Sequence, residues 1–247
     1  MKSSPSACNR RFQRIIELAK SRRAEVLLDI GCADGNTTIV LKTVLGAKEV
    51  YGIELVPEYV ELASKKGIKV LQSDVDYSDI PLPDRYCDAI FCGEIIEHLL
   101  NVEHFLREIN RVLKPGGFCI LTTPNLACWY NRLALLGGFQ PYITWVPWGH
   151  FLVKGLGCRD AGRPGFSPGG PRPHISVMTV RAIRELISSS GLRLKELKGS
   201  SAQGSQPSFP MAPVFFFFDN IFSTIPSLAT FLLFVLEKKP DTPKGKV

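Results

Sequence analysis

The stretch from Val26 to Asn36, VLLDIGCADGN, leaves this chain few ways to fold. It reads as a short buried strand that runs into a tight loop of small residues and then into a helix opened by Asn36, Thr37 and Thr38. Such a turn sets free backbone N–H groups and a helix N-terminus beside a pocket, where a nucleotide-like ligand approaches the main chain closely. A dinucleotide fingerprint needs glycines as G-x-G-x-x-G. Here the small residues alternate, at Gly31, Ala33 and Gly35, and position 36 is Asn. A pyrophosphate therefore fits poorly, and Asp29 inside the strand would repel it. That carboxylate can instead brace the loop or meet the cationic end of a ligand. Ala33 adds one methyl to the loop, which is tolerable if the residue keeps a negative φ.

The next segments of the chain keep register with the loop. Lys48 to Glu54 reads as a second strand ending in an acid, and Ile68 to Asp74 as a third. Tyr86 to Cys92 is a fourth strand, running into Gly93-Glu94-Ile95-Ile96-Glu97-His98. Leu113-Lys114-Pro115-Gly116-Gly117 is a turn before a strand from Phe118 to Thr122. Phe12, Ile15, Ile16 and Leu18 suggest a leading helix, and strands then alternate with helices to about Thr123, the pattern of a parallel doubly wound sheet. Val177 to Ser190 reads as a helix stopped by Gly191, Leu192 to Lys198 as a strand, and Leu228 to Lys238 as the last strand. Ligands of open α/β sheets bind at strand C-termini, and three successive acids sit there. Each acid also has a local reading. Asp29 can cap nearby N–H groups, Glu54 can be solvated, and Asp74 can start a turn with Val75 and Asp76.

On these residues the chain resembles the class I S-adenosylmethionine-dependent methyltransferases. It looks most like the small-molecule enzymes of the ubiquinone- and menaquinone-biosynthesis type. The family's first motif is an acidic residue, a spacer and G-x-G-x-G, matched by Asp29, Gly31 and Gly35, with Ala33 replacing the middle glycine. The L-K-P-G-G turn is also similar. The resemblance covers most of the chain, with its specific motifs between Asp29 and Gly117. It implies an α/β fold: a doubly wound, Rossmann-like, seven-stranded, mostly parallel sheet with the last strand antiparallel. It implies a single domain over residues 1–247, with substrate-side insertions at about 124–175 and 199–227. It implies S-adenosylmethionine as cofactor, bound by Asp29, Gly31, Cys32, Ala33, Gly35, Glu54, Leu55, Asp74, Val75, Gly93, Glu94 and His98. Glu54 would take the ribose hydroxyls and Asp74 would lie near the adenine amino group. The Glu97-His98 pair would line the cofactor pocket or start a helix.

Methyl transfer from a sulfonium needs alignment and exclusion of water, and a general base only where the acceptor holds its proton at neutral pH, as an alcohol does. His98, His150 and His174 are the candidate bases. His174, in Arg172-Pro173-His174-Ile175, matches an H-I step that often precedes the helix after the fifth strand in the resembled family, and is the preferred substrate-side residue. It also reads as a helix-entry residue bonded to backbone. No metal-ligand spacing is apparent, so metal-independent chemistry is expected. Asn125, at the end of the fifth strand, is expected to face the cleft. The order Pro124-Asn125 departs from the N-P-P-Y and D-P-P-Y motifs of amine-methylating enzymes, so amine chemistry is unsupported.

At 247 residues the chain is long enough for one well-cored domain. Its net charge of +7 permits attraction to anionic membranes, nucleic acid or acidic substrates without selecting one. The basic N-terminal residues lack the interleaved aromatics of a base-stacking platform, so nucleic acid is not the expected partner. Seven cysteines without C-x-x-C argue against a disulfide framework and structural zinc, and Cys87, Cys92 and Cys119 read as buried thiols. The N-terminus lacks an apolar signal core, which points to a cytoplasmic location.

Two segments exceed what the sheet needs. The first carries Trp129, Tyr130, Phe139, Tyr142, Trp145, Trp148 and Phe151, then a Gly- and Pro-rich run from Gly155 to Pro173. Loops this long are usually functional or disordered. The second contains Phe215, Phe216, Phe217 and Phe218. Asp219, Asn220, Ser223, Thr224 and Pro226 interrupt the apolar run around them, so a short helix followed by a buried strand is expected rather than a span. That helix could cap the substrate pocket, pack on the insertion, or dip into a membrane surface. Aromatic cover suits an apolar, lipid-linked or glycan-linked small molecule methylated on oxygen. Methylation of RNA or protein is the alternative that the charge favours. A non-catalytic S-adenosylmethionine-binding module that regulates a partner through an exposed apolar patch is a third reading.

Overall fold

β1 (Val26–Ile30) is buried along its whole length, as a strand covered on both faces must be. In the computed structural model, which describes residues 10–141, 144, 173–202 and 212–240, it lies inside the sheet, third from one edge. β2 (Glu49–Glu54) and β4 (Cys87–Gly93) flank it, both parallel. β3 (Lys69–Gln72) lies beyond β2, and β5 (Leu113–Pro124) beyond β4. β7 (Phe231–Lys238) runs antiparallel to β5 and to β6 (Leu192–Ser200). The seven strands are ordered β3-β2-β1-β4-β5-β7-β6. The last strand is therefore the antiparallel one, as expected, but it lies inside the sheet rather than at its edge.

Alternate residues of each strand feed two cores. Leu27, Ala89, Phe91, Ile120 and Val235 pack with α1 (Arg10–Lys20) and α2 (Asn36–Leu45) through Ile15, Leu18, Leu41 and Leu45. Leu28, Ile30, Ile90, Cys92 and Phe234 face α4 (Val102–Val112) and α6 (Val180–Ser189) through Phe105, Leu106, Ile109, Ile183 and Ile187. The period of two in the strands and the apolar stripe on each helix are the same fact seen from two sides. α3 (Pro57–Ser64) and α5 (Trp129–Leu136) complete the core helices.

The boundaries differ from the sequence pattern where hydrogen bonds outvote hydropathy. β3 stops at Gln72, which leaves Asp74 beyond the strand rather than at its end. β5 starts at Leu113, because Leu113 already pairs with Cys87 and the glycine turn is absorbed as an irregularity before Phe118 pairs with Ala89. α6 starts at Val180, where the Thr179 side chain accepts from Ala182 N at 3.3 Å and caps the helix. Cys87, Cys92 and Cys119 are buried thiols, and burial pushes Cys87 up to about 12.

The phenylalanine run forms α7 (Ala212–Phe222). No helix among the described residues is long and apolar enough to cross a membrane. Asp219, which interrupts the run, is what anchors it. Its buried carboxylate accepts from Trp129 Nε1 at 3.0 Å, from Thr230 Oγ1 at 2.6 Å and from Ala202 N at 2.6 Å. Trp129 then lies against Phe215 and Phe222, at ring centroid distances of 5.4 and 5.3 Å. His150, Tyr142, Trp145, Trp148, Phe151 and the run that ends before Pro173 lie outside the described residues.

Glu108 on α4 holds the segment that crosses from β3 to β4. Its carboxylate accepts from Ile80 N at 2.8 Å and from the Arg111 fork at 2.7 Å on each oxygen. Arg111 in turn donates to the carbonyls of Ile80 at 2.8 Å and Leu82 at 3.0 Å. The hydrogen-bonded Arg111 holds the Glu108 carboxyl below its ordinary value of 4.5. Glu108→Ala should lower stability by about 2–3 kcal/mol near neutral pH, because it orphans a buried amide and a guanidinium. Glu108 binds a proton less readily in the native state, so its contribution is present above the ordinary glutamate range and lost as pH falls through the native value. Urea melts of both proteins should therefore converge as the solution is acidified.

Candidate active site

The loop after β1 is built from left-handed backbone. Gly31, Ala33 and Gly35 have φ of 71°, 48° and 79°. Ala33 thus departs from the negative φ that its side chain prefers, at a cost of about 1 kcal/mol. Glycine is required on both sides of it. A Cβ on Gly35 would stand 2.5 Å from Ile68 Cδ1, and one on Gly31 would stand 3.0 Å from Ile95 Cδ1. Gly31 N and Cys32 N both donate to Ile53 O, at 2.8 and 3.1 Å, which ties the loop to the end of β2. Cys32 is buried against Gly52, where a Cβ would come within 2.6 Å of its Sγ. Asp29 is buried and accepts from Thr38 Oγ1 at 2.5 Å, so it braces β1 to α2.

Glu54 is not a solvated strand end. Its Oε2 accepts from Ala33 N at 2.8 Å, and its Oε1 accepts from Leu55 N at 2.9 Å and Val56 N at 3.1 Å. Leu55 is exposed beside it and Val75 is buried. Asp74 takes its local role, accepting from Asp76 N at 3.2 Å, while its carbonyl accepts from Tyr77 N and Ser78 N. The buried acid of that turn is Asp76, which accepts from Leu100 N and Asn101 N at 2.8 Å each. Gly93 leaves room for the Phe91 ring, 2.7 Å from where a Cβ would lie. Glu94, at φ 56°, accepts from Thr122 Oγ1 at 3.1 Å and pairs with Arg11 at 2.5 Å. The Arg11 guanidinium also lies 4.3 Å over the Phe231 ring, so α1 reaches across the carboxyl edge of the sheet.

Beyond Glu94 the chain makes a 3₁₀ turn, Ile96–His98. The segment from Pro173 docks on it: Ile175 N and Ser176 N both donate to Glu97 O at 2.9 Å, and Ser176 Oγ to Leu99 O at 2.5 Å. This sets the rings of His98 and His174 edge to face, 4.8 Å apart. His98 Nδ1 lies 3.2 Å from Pro173 O. A carbonyl can only accept, so Nδ1 carries a proton and donates to it. Glu97 is fully buried. Its Oε2 accepts from Thr123 Oγ1 at 3.1 Å, and its Oε1 stands 4.0 Å from His98 Nε2. Burial, and then the charge of Glu94, push its carboxyl well above the ordinary glutamate range.

Two of the three expected histidines are therefore brought together, and His150 lies outside the described residues. Glu97 is the member of the cluster that the pattern undervalues. The available signal is a glutamate between Ile95-Ile96 and Leu99-Leu100, an acid in an apolar run. Asn125, expected to face the cleft, is buried and holds backbone instead. It donates to Ala229 O at 2.9 Å and accepts from Ala127 N at 3.0 Å. A cavity of about 590 Å³ lies apart from the loop, lined by Arg132, Thr179, Arg181, Arg184 and Ser227 among others.

The carboxyl edge thus presents a glycine-bounded loop with the Glu54 carboxylate held on it. A carboxylate in that position suits a cationic ligand and disfavours a pyrophosphate. Residues 28–121 match the family model described as a methyltransferase domain. The ubiquinone biosynthesis O-methyltransferase of Rickettsia prowazekii (strain Madrid E) is 24% identical over 76% of this chain and 68% of its own length. The 27-O-demethylrifamycin SV methyltransferase of Amycolatopsis mediterranei (strain S699) is 31% identical over 45% of this chain and 43% of its own. A SAM-dependent methyltransferase from Aquifex aeolicus shares the fold with a TM-score of 0.53 at 18% identity, over 92% of this chain and 89% of that one. The methyltransferase-domain match over residues 28–121, the O-methyltransferase relatives and the shared fold together indicate an S-adenosylmethionine-dependent methyltransferase with S-adenosylmethionine as cofactor.

Glu54→Ala should weaken S-adenosylmethionine binding at least tenfold, about 1.4 kcal/mol, in calorimetry. Unchanged affinity with a lower melting temperature would make Glu54 a loop brace alone. Gly35→Ala should cost about 1–3 kcal/mol, through left-handed strain and overpacking against Ile68, measurable in a denaturant melt.

Proposed function

We propose that this methyltransferase acts on a hydroxyl oxygen of an apolar small molecule. The His98–His174 pair beside buried Glu97, at the carboxyl edge of the sheet, is the observation that carries the reading. A hydroxyl keeps its proton at neutral pH and needs a group that loosens it, whereas an acceptor with a free lone pair needs none. S-adenosylmethionine, when bound, supplies a methyl on a sulfonium centre. The loop from Gly31 to Gly35 and Glu54 hold and orient the nucleoside. His174, on the segment that folds over the turn, stands on the substrate side, and His98 backs it.

The relatives favour oxygen as the acceptor atom. They include ubiquinone biosynthesis and malonyl-[acyl-carrier protein] O-methyltransferases. An apolar acceptor, lipid-linked or glycan-linked, fits the aromatic cover made by Trp129, Tyr130 and Phe215, whose rings lie within 5.6 Å of one another. Phe215 and Phe216 are half-buried in that cover, while Phe217 and Phe218 are exposed with Ile221 on α7. Those exposed side chains support peripheral contact with a membrane from a cytoplasmic location.

His174→Ala and His98→Ala should each lower kcat by about 10²–10⁴-fold with calorimetric S-adenosylmethionine affinity unchanged. Labelled methyl incubated with fractionated cell extract should appear in the lipid or small-molecule fraction. Label in RNA or protein instead would replace this acceptor. Phe217→Asp should reduce co-sedimentation with anionic vesicles while leaving kcat on a soluble acceptor unchanged.

A further inference from the structure

We propose that the arginine-lined cavity beside α6 binds a phosphate group of the acceptor, which makes the acceptor a lipid phosphate ester. This rests on the O-methyl transfer reading and names the substrate class for it. The cavity, of about 590 Å³, has the size of a small-molecule site. Arg132 of α5 and Arg181 and Arg184 of α6 line it, with Glu185 as the one acid on its wall. Three guanidinium groups against one carboxylate leave two positive charges in excess. The three cations are held differently. Arg132 Nε donates to Ala127 O at 2.7 Å and Nη2 to Ser227 O at 3.2 Å. Two neutral carbonyls thus fix its fork without cancelling its charge. Arg181 Nε pairs with Glu185 at 3.2 Å, but both side chains are exposed, and such a pair holds its partners weakly. Arg184 has neither an acid within ion-pair distance nor a hydrogen-bond partner among the described residues.

Like charges gathered around a concave surface repel unless an anion sits among them. The planar fork of arginine matches phosphate oxygens in pairs, and one phosphate presents oxygens to several forks at once. The rim beside the arginines is apolar. Leu136, one turn beyond Arg132 on the same face of α5, is exposed, and so is Ile225, two residues before Ser227. A phosphate ester with an apolar tail meets both kinds of surface. The cavity also lies near the candidate site of methyl transfer. Leu126 N donates to Met178 O at 3.1 Å, which ties the end of β5 to the segment that carries His174. That segment continues to Thr179 on the cavity wall, five residues past His174. Even fully extended, it separates the two Cα atoms by at most about 18 Å. One elongated ligand therefore reaches from the arginines toward the histidine pair.

The test is calorimetry of the full chain with geranyl monophosphate, and with geraniol, which has the same tail and no phosphate. Geranyl monophosphate should bind at least about tenfold more tightly than geraniol, and the difference should shrink as NaCl is added. The double variant Arg181→Gln/Arg184→Gln, at two exposed positions, should weaken that binding at least about tenfold and leave S-adenosylmethionine affinity unchanged. Equal binding of the two compounds, or a double variant that binds geranyl monophosphate as the wild type does, would overturn the site. Vesicles of phosphatidylglycerol distinguish the source of the phosphate. A double variant that loses co-sedimentation yet binds geranyl monophosphate unchanged would give the arginines to a bilayer headgroup and remove the acceptor assignment. Mass analysis of lipid labelled with methyl from S-adenosylmethionine separates the inference from the reading beneath it. Labelled lipid that carries phosphate supports both. Labelled lipid without phosphate removes the phosphate ester alone, while label absent from every lipid removes the apolar acceptor itself.

Discussion

The carbonyl of Ile53 is the point on which the site turns. It accepts the N–H groups of Gly31 and Cys32, and one residue later the Glu54 carboxylate takes the N–H of Ala33. Three consecutive amides of the loop are thus committed to the end of a single neighbouring strand. This clamp holds the left-handed loop open toward the carboxyl edge, even though Ala33 sits there at some strain. It also explains why the loop is short on side chains. Any Cβ at 31 or 35 would push against Ile95 or Ile68, which come from other segments of the chain.

The site has two halves of different character. The half around β1 and β2 is backbone with acids set on it, suited to holding a nucleoside. The half around β4 and the segment before α6 is a side-chain cluster, in which a buried acid faces two imidazoles. Glu94 separates the halves and is held by Thr122 and by Arg11 from the far helix.

Sheet architecture was legible because apolar runs and acids at strand ends are local signals. Leu27 and Leu28 name the two faces by themselves, since a buried strand must alternate between them. What the sequence concealed are interactions joined only by folding. Asp219 looked like a break in an apolar run, yet it receives bonds from Trp129, Thr230 and Ala202. Asn125 looked like a cleft residue and proved to be a brace for the loop at 226–229. Glu54 stands at the loop, where the strand pattern put it, but its grip on Ala33 N depends on Gly31 and Cys32 docking on the Ile53 carbonyl. The His98 and His174 pairing was equally hidden, since only the docking of the Pro173 segment creates it.

The interior position of β7 has a consequence for how the sheet is assembled. β6 pairs with β7 alone, and β7 is made after it. As the chain emerges, the strand at Leu192–Ser200 has no neighbour to join, and β5 keeps an open edge. Closure of that side waits for Phe231–Lys238 to slide between them. Until then the exposed edges invite pairing with other chains, and the basic residues Arg193, Lys195 and Lys198 along β6 are well placed to discourage it.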